Sequence, residues 1–317
     1  MGCWAIGGPF WAGDQPFGWG DVDDAESERA IRRALELGVT FFDTADVYGT
    51  GHSESVLARA IGGHRGEVVI ATKWGNTYDE EALQLTGADA SPAYLRRALE
   101  KSLERLGSSY IDLYQLHIGD LEPGPAEELL ATLEDLVEEG KVRWYGWSTD
   151  LPDRAELWVK QGAHFTAVQH DFSVLANASE MLALCQGYDL ASIARGPLAM
   201  GLLTGKFSAT STLGADDVRG VPPPWMRYFG AGGRPDPGLL STVAAVREAL
   251  TVGGRTLAQG ALAYLWARSD KTIPVPGCRT VAQVEENAAA LGLGALSPSE
   301  LAEVESSLSG LRRGQAA

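Results

Sequence analysis

Cysteine is scarce in this 317-residue sequence, which contains only Cys3, Cys185 and Cys278. No two of them form a Cys-x-x-Cys pair, so neither a zinc knuckle nor a disulfide framework is predicted. Few and widely separated cysteines are typical of proteins that work in a reducing compartment. We therefore expect a cytoplasmic protein.

Basic residues are also outnumbered, with 26 Lys and Arg against 42 Asp and Glu, and the formal net charge is -16. An acidic surface repels phosphate backbones and anionic lipids, so we expect neither nucleic-acid nor membrane partners. No apolar run reaches the length needed to cross a bilayer, and the start MGCWAIGGPF lacks the basic region of a signal peptide. A local basic pocket for one anionic cofactor is compatible with this charge.

Short β-rich runs alternate with segments of helical period along the whole chain. In SPAYLRRALEKSLERLG, for example, Leu95, Leu99 and Leu103 fall on one face, Ser91 is a candidate N-cap and Gly107 follows the end. The predicted strands are 3–7, 39–44, 67–73, 110–117, 142–148, 165–170, 189–195 and 271–275. The other predicted helices are 24–37, 53–61, 126–139, 153–161, 178–187, 238–250, 256–268 and 280–290.

Eight strand–helix units predict parallel strands closed into a (β/α)8 TIM barrel, with 1–317 as a single domain. The competing doubly wound sheet needs a GxGxxG turn after an early strand, and the sequence has none there. A long loop, 196–235, follows the seventh strand. It contains Trp225, Met226, Tyr228 and Phe229, which would be costly to expose, so we interpret it as a lid or pocket wall rather than a flexible insertion.

Polar residues stand at the C-terminal ends of predicted strands, the face where such barrels carry their active sites. Each alone has a structural explanation, such as a turn aspartate or a satisfied core histidine, but together they predict a ring of functional groups. Tyr48 follows the second strand and would point into this ring, where a neighbouring ammonium can lower its pKa. The arrangement suits proton donation to a carbonyl oxygen while hydride reaches the carbon. The strand-end residues are Asp43, Lys73, His117, Ser148, Gln169 and Arg195.

Seven motifs in order resemble the aldo-keto reductase superfamily, in its broad bacterial branch, and cover nearly the whole chain. They are DTADVYG, ATKWG, DLYQLH, the GWS of WYGWST, AVQHDFSVL, GPLAMGLLTGK and IPVPGCRTVAQVEEN. The resemblance implies NAD(P)H-dependent reduction of an aldehyde or ketone on a barrel without a Rossmann domain. The catalytic tetrad it implies is Asp43, Tyr48, Lys73 and His117, with Tyr48 as the general acid in reduction.

The resemblance also implies where the cofactor lies. Ser148 and Gln169 would hold the nicotinamide carboxamide, with Thr149 in place of the usual asparagine, and Arg195 stands where many members stack a tyrosine. The segment 195–206 would line the nicotinamide and pyrophosphate, and 277–287 the adenosine end. The implied cofactor residues are Trp4, Ser148, Thr149, Gln169, Arg195, Gly196, Pro197, Leu198, Gly201, Leu203, Lys206, Gly277, Arg279, Gln283, Glu286 and Asn287.

The adenosine end bears on the choice between NADPH and NADH. A strand, a glycine and the N-terminus of the helix near 280 make an anion site, and Arg279 can pair with a 2′-phosphate. This favours NADPH. Gln283 stands where many members place an arginine, so NADH stays a second candidate.

Aromatic residues on the loops, namely Trp11, Trp74 and Trp225, predict a pocket for an apolar, aromatic, cyclic or sugar-like carbonyl substrate. The chain begins at its predicted first strand, so we expect a truncated version of the hairpin that caps the barrel bottom in the family. No feature indicates an oligomeric state.

Three other functions are alternatives for such a barrel. An NADPH-binding regulatory or sensor barrel with slow turnover keeps the same tetrad. A metal-dependent hydrolase needs a His-x-His that the five histidines do not form. A Schiff-base aldolase would use Lys73 as its nucleophile.

Overall fold

The computed structural model of the chain describes residues 1–315. The strands are β1 (Trp11–Ala12), β2 (Gln15–Pro16), β3 (Phe41–Asp43), β4 (Val69–Trp74), β5 (Asn76–Asp79), β6 (Gln84–Ala88), β7 (Ile111–Leu116), β8 (Val142–Ser148), β9 (Phe165–Asp171), β10 (Ala191–Arg195), β11 (Phe229–Gly230), β12 (Arg234–Pro235) and β13 (Thr272–Pro274). The helices are α1 (Asp24–Glu36), α2 (His52–Ile61), α3 (Pro92–Leu106), α4 (Pro123–Glu138), α5 (Pro152–Gln161), α6 (Ser179–Tyr188), α7 (Pro237–Leu250), α8 (Leu257–Arg268), α9 (Val281–Leu293) and α10 (Pro298–Gln315).

Seven parallel strands form a curled sheet in the order β13-β10-β9-β8-β7-β4-β3. Gly2 closes the ring, because it forms parallel bridges both to Asp43 at the end of β3 and to Gly277 just after β13. A Cβ at position 2 would lie 2.7 Å from the Val275 carbonyl oxygen, so the closure requires glycine there. The predicted single-domain (β/α)8 barrel is confirmed.

The predicted strand at 3–7 is wrong in detail. After the bridge at Gly2 the chain turns into a 3-10 helix over Trp4–Ile6, with the Ile6 N–H donating to the Cys3 carbonyl. Three hairpins, β1–β2, β5–β6 and β11–β12, and the C-terminal helix α10 were not predicted; the first two hairpins join in one small sheet in the order β2-β1-β6-β5.

The outer helices form where the sequence predicts them because their apolar positions recur at helical spacing. In α3 the Ser91 hydroxyl accepts from the Tyr94 N–H, and Gly107 ends the helix in the left-handed region at φ 57°. Leu95 and Leu99 of this helix are fully buried against the barrel. Each such leucine contributes about 1.5–3 kcal/mol to the free energy of unfolding.

The loop after β10 is packed onto the barrel. Met226, Tyr228 and Phe229 are buried, whereas Trp225 is 54% exposed. This burial is compatible with a pocket wall that carries one exposed aromatic residue at its rim, and not with an unpacked insertion.

An apolar cavity of about 290 Å³ lies between the barrel wall at β3 and β13 and the outer helices α1, α8 and α9. Met1 and Phe41 are among its walls. The Met1 ammonium donates to the Phe41 carbonyl at 2.6 Å, and burial lowers its pKa. The expected truncated cap stays a prediction.

Within residues 1–315, the structure contains no helix that is both long and apolar enough to span a membrane.

Candidate active site

The C-terminal strand ends bring the predicted tetrad together. Asp43 ends β3, Lys73 precedes the last residue of β4, and His117 follows β7. Tyr48 lies in the turn after β3, and the next residue, Gly49, packs closely against the backbone of Gly7. A Cβ at position 49 would lie 1.7 Å from the Gly7 carbonyl oxygen, and the φ angle of Gly49 is +58°. Only glycine fits there, so the backbone beside Tyr48 is held in one position.

Lys73 is the centre of the hydrogen-bond network and is fully buried. Its Nζ donates to Asp43 Oδ2 at 2.8 Å, to the Thr44 carbonyl at 2.7 Å and to the Tyr48 hydroxyl at 3.3 Å. Burial by itself lowers the pKa of Lys73, but Asp43 and Tyr48 outweigh this and raise it overall. The lysine is therefore an ammonium at neutral pH.

The pKa of Tyr48 differs from the sequence-based expectation. Burial raises it above the usual 10.0, and the attraction of the phenolate to Lys73 offsets only part of that effect. The expected lowering by Lys73 is thus present but smaller than the cost of desolvation. Tyr48 is a protonated donor at neutral pH, next to an ammonium that would stabilise the phenolate left behind.

His117 packs edge-on against Tyr48, with ring centroids 5.9 Å apart. Burial, together with the charges of Lys73 and Arg195, holds its pKa well below the usual 6.5. The imidazole is neutral, so it can donate one hydrogen bond to a substrate oxygen but is a poor source of a proton.

Asp43 has two further partners inside the barrel, Gln169 and Gln115. Gln169 Nε2 donates to Asp43 Oδ1 at 2.6 Å, and Gln115 Nε2 reaches the same oxygen at 3.3 Å. Sequence reasoning missed Gln115, although its spacing by two from His117 in DLYQLH places both side chains on the same face of the strand.

The predicted carboxamide site is only partly assembled. Ser148 pairs with Gln169 across β8 and β9, and no hydrogen bond engages its hydroxyl within the described residues. Thr149 is committed elsewhere, because its hydroxyl donates to the Gly119 carbonyl at 2.5 Å and accepts from the Leu151 N–H. Thr149 is therefore not free to replace the usual asparagine.

The predicted pyrophosphate segment forms a tight turn after β10. Gly196, Gly201 and the non-glycine residues Ala199 and Met200 all have positive φ angles. A Cβ at Gly201 would lie 3.4 Å from Lys206 Cε, so backbone and lysine approach closely. The remaining predicted residues of this turn, Pro197, Leu198 and Leu203, lie within the same segment.

Arg219 joins Lys206 and was not predicted. It is buried, paired with Asp217, and donates to the Met200 carbonyl at 3.1 Å. Burial lowers the pKa of Lys206, and the nearby charges of Arg219 and Arg279 lower it further. Lys206 and Arg219 lie beside the glycine turn, with Arg219 paired to Asp217, and binding of an anionic cofactor group there stays a prediction.

The adenosine end departs from the expectation. Arg279 donates to the carbonyls of Trp19 and Asp21, so its guanidinium ties 277–287 to the first loop. The Gln283 side chain accepts from the Arg279 N–H at 2.8 Å. The remaining predicted residues also have intramolecular partners: Gly277 bridges Gly2, Asn287 donates to Cys278 Sγ at 3.1 Å, and the Glu286 carbonyl accepts from Gln259.

The N-terminus of α9 is occupied by a carboxylate of the chain itself. The Val281 N–H donates to Glu26 Oε1 at 2.9 Å, and this bond is the main reason that the pKa of Glu26 is lowered. The N-terminus of α9 therefore holds the Glu26 carboxylate, and binding of a cofactor anion there stays a prediction.

The four predicted tryptophans have different environments. Trp4 stacks on Tyr48 with centroids 5.9 Å apart, and Trp225 lies 6.4 Å from Trp4 on the exposed side of this pair. Trp11 lies in the β1–β2 hairpin, and no aromatic contact joins it to Tyr48 among the described residues. Trp74 does not join this group: it is fully buried, and because it follows inward-facing Lys73 in the strand it points outward, against Tyr114.

Arg195 forms an ion pair with Asp150, and the nearby Arg227 of the long loop forms one with Asp171. Tyr228 also donates to Asp171, at 3.3 Å. The long loop is thus fastened to the end of β9 beside the tetrad. The ion pair uses the edge of the Arg195 guanidinium, and stacking of its face on a nicotinamide stays a prediction.

Within residues 1–315, no group of three or more His, Cys, Asp or Glu side chains is arranged to hold a metal ion.

These observations describe a (β/α)8 barrel with a buried Lys–Asp–Tyr network at the C-terminal strand ends. The sequence matches the aldo/keto reductase family over residues 5–309, and the chain belongs to that family of oxidoreductases.

Three similar proteins have the following names and measures. The uncharacterized oxidoreductase YqkF of Bacillus subtilis is 38% identical over 177 residues, which are 56% of this chain and 57% of YqkF. The glycerol dehydrogenase of Gluconobacter oxydans superposes with a TM-score of 0.80 at 28% identity, covering 98% of this chain and 90% of its own. An aldo-keto reductase of Klebsiella pneumoniae in complex with NADPH gives 0.69 at 27% identity, covering 96% and 88%.

Proposed function

We propose that the protein catalyses NADP(H)-dependent reduction of an aldehyde or ketone to the alcohol, with Tyr48 as the proton donor. The observation that carries the proposal is the buried Lys73 ammonium, which lies between the Asp43 carboxylate and the Tyr48 hydroxyl. The NADPH complex of the Klebsiella pneumoniae reductase supports the choice of cofactor.

The residues present fit such a cofactor. Lys206 and Arg219 supply positive charge beside the glycine turn at Gly201, and the Ser148 hydroxyl is without a hydrogen-bond partner within residues 1–315. Lys206 would hold a phosphate oxygen, with the positive charge of Arg219, itself paired with Asp217, beside it, and Ser148 with Gln169 would hold the carboxamide. The nicotinamide supplies the hydride when bound.

The chain's own residues would handle the proton. Tyr48 is protonated at neutral pH and can donate its hydroxyl proton to a carbonyl oxygen. Lys73, 3.3 Å away, stabilises the phenolate that forms, and Asp43 keeps Lys73 in place. Neutral His117 donates a hydrogen bond that orients the carbonyl oxygen.

Aromatic residues surround the expected approach of the substrate to Tyr48, and the ion pairs Arg195–Asp150 and Arg227–Asp171 lie near it. Trp4 and Trp225 line the approach to Tyr48, which suits a carbonyl compound with an apolar or ring portion. Aromatic faces also stack on sugar rings, so cyclic and sugar-like carbonyls belong to the same class of candidates.

The test has two stages. NADPH and NADH binding is measured first, by quenching of protein fluorescence, and then NADPH oxidation with a panel of aromatic, cyclic and sugar-like aldehydes and ketones. We expect tight NADPH binding and turnover with at least one member of the panel. A protein that binds neither dinucleotide would refute the proposal. Tight binding with no turnover across the panel would instead favour the sensor hypothesis.

A further inference from the structure

Gln115 is a buried polar residue that the expected chemistry does not use. It lies in β7, directly opposite Lys73 in β4 and Gly146 in β8. Its side chain is fully buried inside the barrel. A Cβ at position 146 would lie 3.4 Å from Gln115 Cγ and 2.7 Å from the Ala167 carbonyl oxygen, so the glycine opposite leaves space for the amide.

Both ends of the Gln115 amide contact site residues. Its Nε2 reaches Asp43 Oδ1 at 3.3 Å, and its Oε1 accepts from Gln169 Nε2 at 3.4 Å. No other side-chain hydrogen bond of Gln115 is found within the described residues. A buried amide usually has partners that stabilise the fold, whereas every partner of this amide belongs to the candidate active site.

The three side chains form a closed triangle. Gln169 Nε2 donates to Asp43 Oδ1 at 2.6 Å as well as to Gln115 Oε1, so the nitrogen of Gln169 faces two acceptors. This fixes the orientation of the Gln169 amide, because reversing it would bring its oxygen against a carboxylate. Its Oε1 therefore points away from Asp43, and no donor reaches it within residues 1–315.

We propose that Gln115 is a positioning residue that holds Asp43 and Gln169 in one arrangement and so links the proton-donating network to the nicotinamide site. Asp43 turns the nitrogen of Gln169 inward, and Gln115 reinforces that orientation as a second acceptor, which leaves the Gln169 oxygen to accept an N–H of the cofactor carboxamide. The identity of that carboxamide rests on the proposed function. The triangle itself rests only on the contacts above.

The test compares Gln115→Met, which keeps the length of the side chain but removes both hydrogen bonds, with Gln161→Met, an exposed control. Dissociation constants are measured for NADPH and for 2′-phospho-ADP-ribose, which lacks the nicotinamide. We expect Gln115→Met to weaken NADPH binding about tenfold, the effect of one lost oriented hydrogen bond, with 2′-phospho-ADP-ribose unchanged. A purely structural role would weaken both ligands equally, and that result, or no change in either, would overturn the proposal.

A second variant, Gln115→Glu, tests the contact with Asp43. It also keeps the proposal testable if Gln115→Met folds poorly. It places a second carboxyl group beside Asp43, and two facing carboxyl groups share one proton. We expect the pH profile of carbonyl reduction to gain an ionisation that neither the wild type nor Gln115→Met shows. An unchanged profile would contradict the positioning role. If the wild type binds no NADPH, the proposed function has failed rather than this inference.

Discussion

Replacing Asp46 with asparagine should stabilise the protein, and by an amount that grows with pH. Asp46 is fully buried, and neither of its carboxylate oxygens has a hydrogen-bond partner. Burial, and then the nearby Glu54, raises its pKa well above the usual 3.8, with Arg105 and Lys73 offsetting part of the shift. The folded protein therefore takes up a proton here that the unfolded chain releases.

The direction and size of this change in the free energy of unfolding follow from proton linkage. A carboxyl group whose pKa is raised on folding contributes its full stability below the unfolded pKa, near 4, and loses it as pH rises towards the folded pKa. Within that window a single group changes the free energy of unfolding by about 1.4 kcal/mol per pH unit. Asparagine does not titrate, so the gain in the free energy of unfolding from Asp46→Asn should be small near pH 4. It should then increase by about 1.4 kcal/mol per pH unit as the pH rises towards the folded pKa.

Urea unfolding of both proteins at several values between about pH 5 and pH 8 measures this difference. Asp120→Asn, a change at an exposed aspartate, is the matched control and should shift stability by less than about 0.5 kcal/mol at every pH. A constant difference between Asp46→Asn and the wild type across this range would refute the reasoning.

Two further predictions concern the site. Lys73→Met should reduce turnover at least about 100-fold and lower the free energy of unfolding by about 3–5 kcal/mol, because Asp43 loses its buried counter-ion; turnover within tenfold of the wild type would count against the role of the lysine. Glu26→Gln should tighten NADPH binding relative to NADH by roughly fivefold, because a negative charge leaves the N–H of Val281. Glu28→Gln, on the same helix, is the control, and an unchanged ratio of dissociation constants in Glu26→Gln would show that Glu26 does not affect the 2′-phosphate.

Much of this barrel is predictable because its signals are local. Strand–helix alternation predicts parallel strands, and the polar residues at their C-terminal ends predict the face that carries the site. Asp43, Lys73 and His117 all stand at such ends, and the structure brings them together with Tyr48. The prediction of a strand at 3–7 is wrong because only Gly2 is needed to close the ring of strands, after which the chain is free to turn.

The errors and omissions have physical causes. Trp74 was assigned to the pocket by its position after Lys73, although strand alternation places adjacent side chains on opposite faces. Arg219 lies in a long loop without periodicity, so nothing local indicated its approach to Lys206. Arg279 bonds to the carbonyls of Trp19 and Asp21, contacts between distant parts of the chain that a single sequence does not reveal.

The central claim is that Tyr48 donates the proton, and its most direct test is the turnover of Tyr48→Phe with the best carbonyl substrate from the panel. The variant keeps the aromatic ring that stacks on Trp4, so NADPH binding and thermal stability serve as the check that the site is intact. The account predicts normal NADPH binding with turnover reduced by a factor of about 10² to 10⁴. Turnover within tenfold of the wild type in a protein that binds NADPH normally would contradict it.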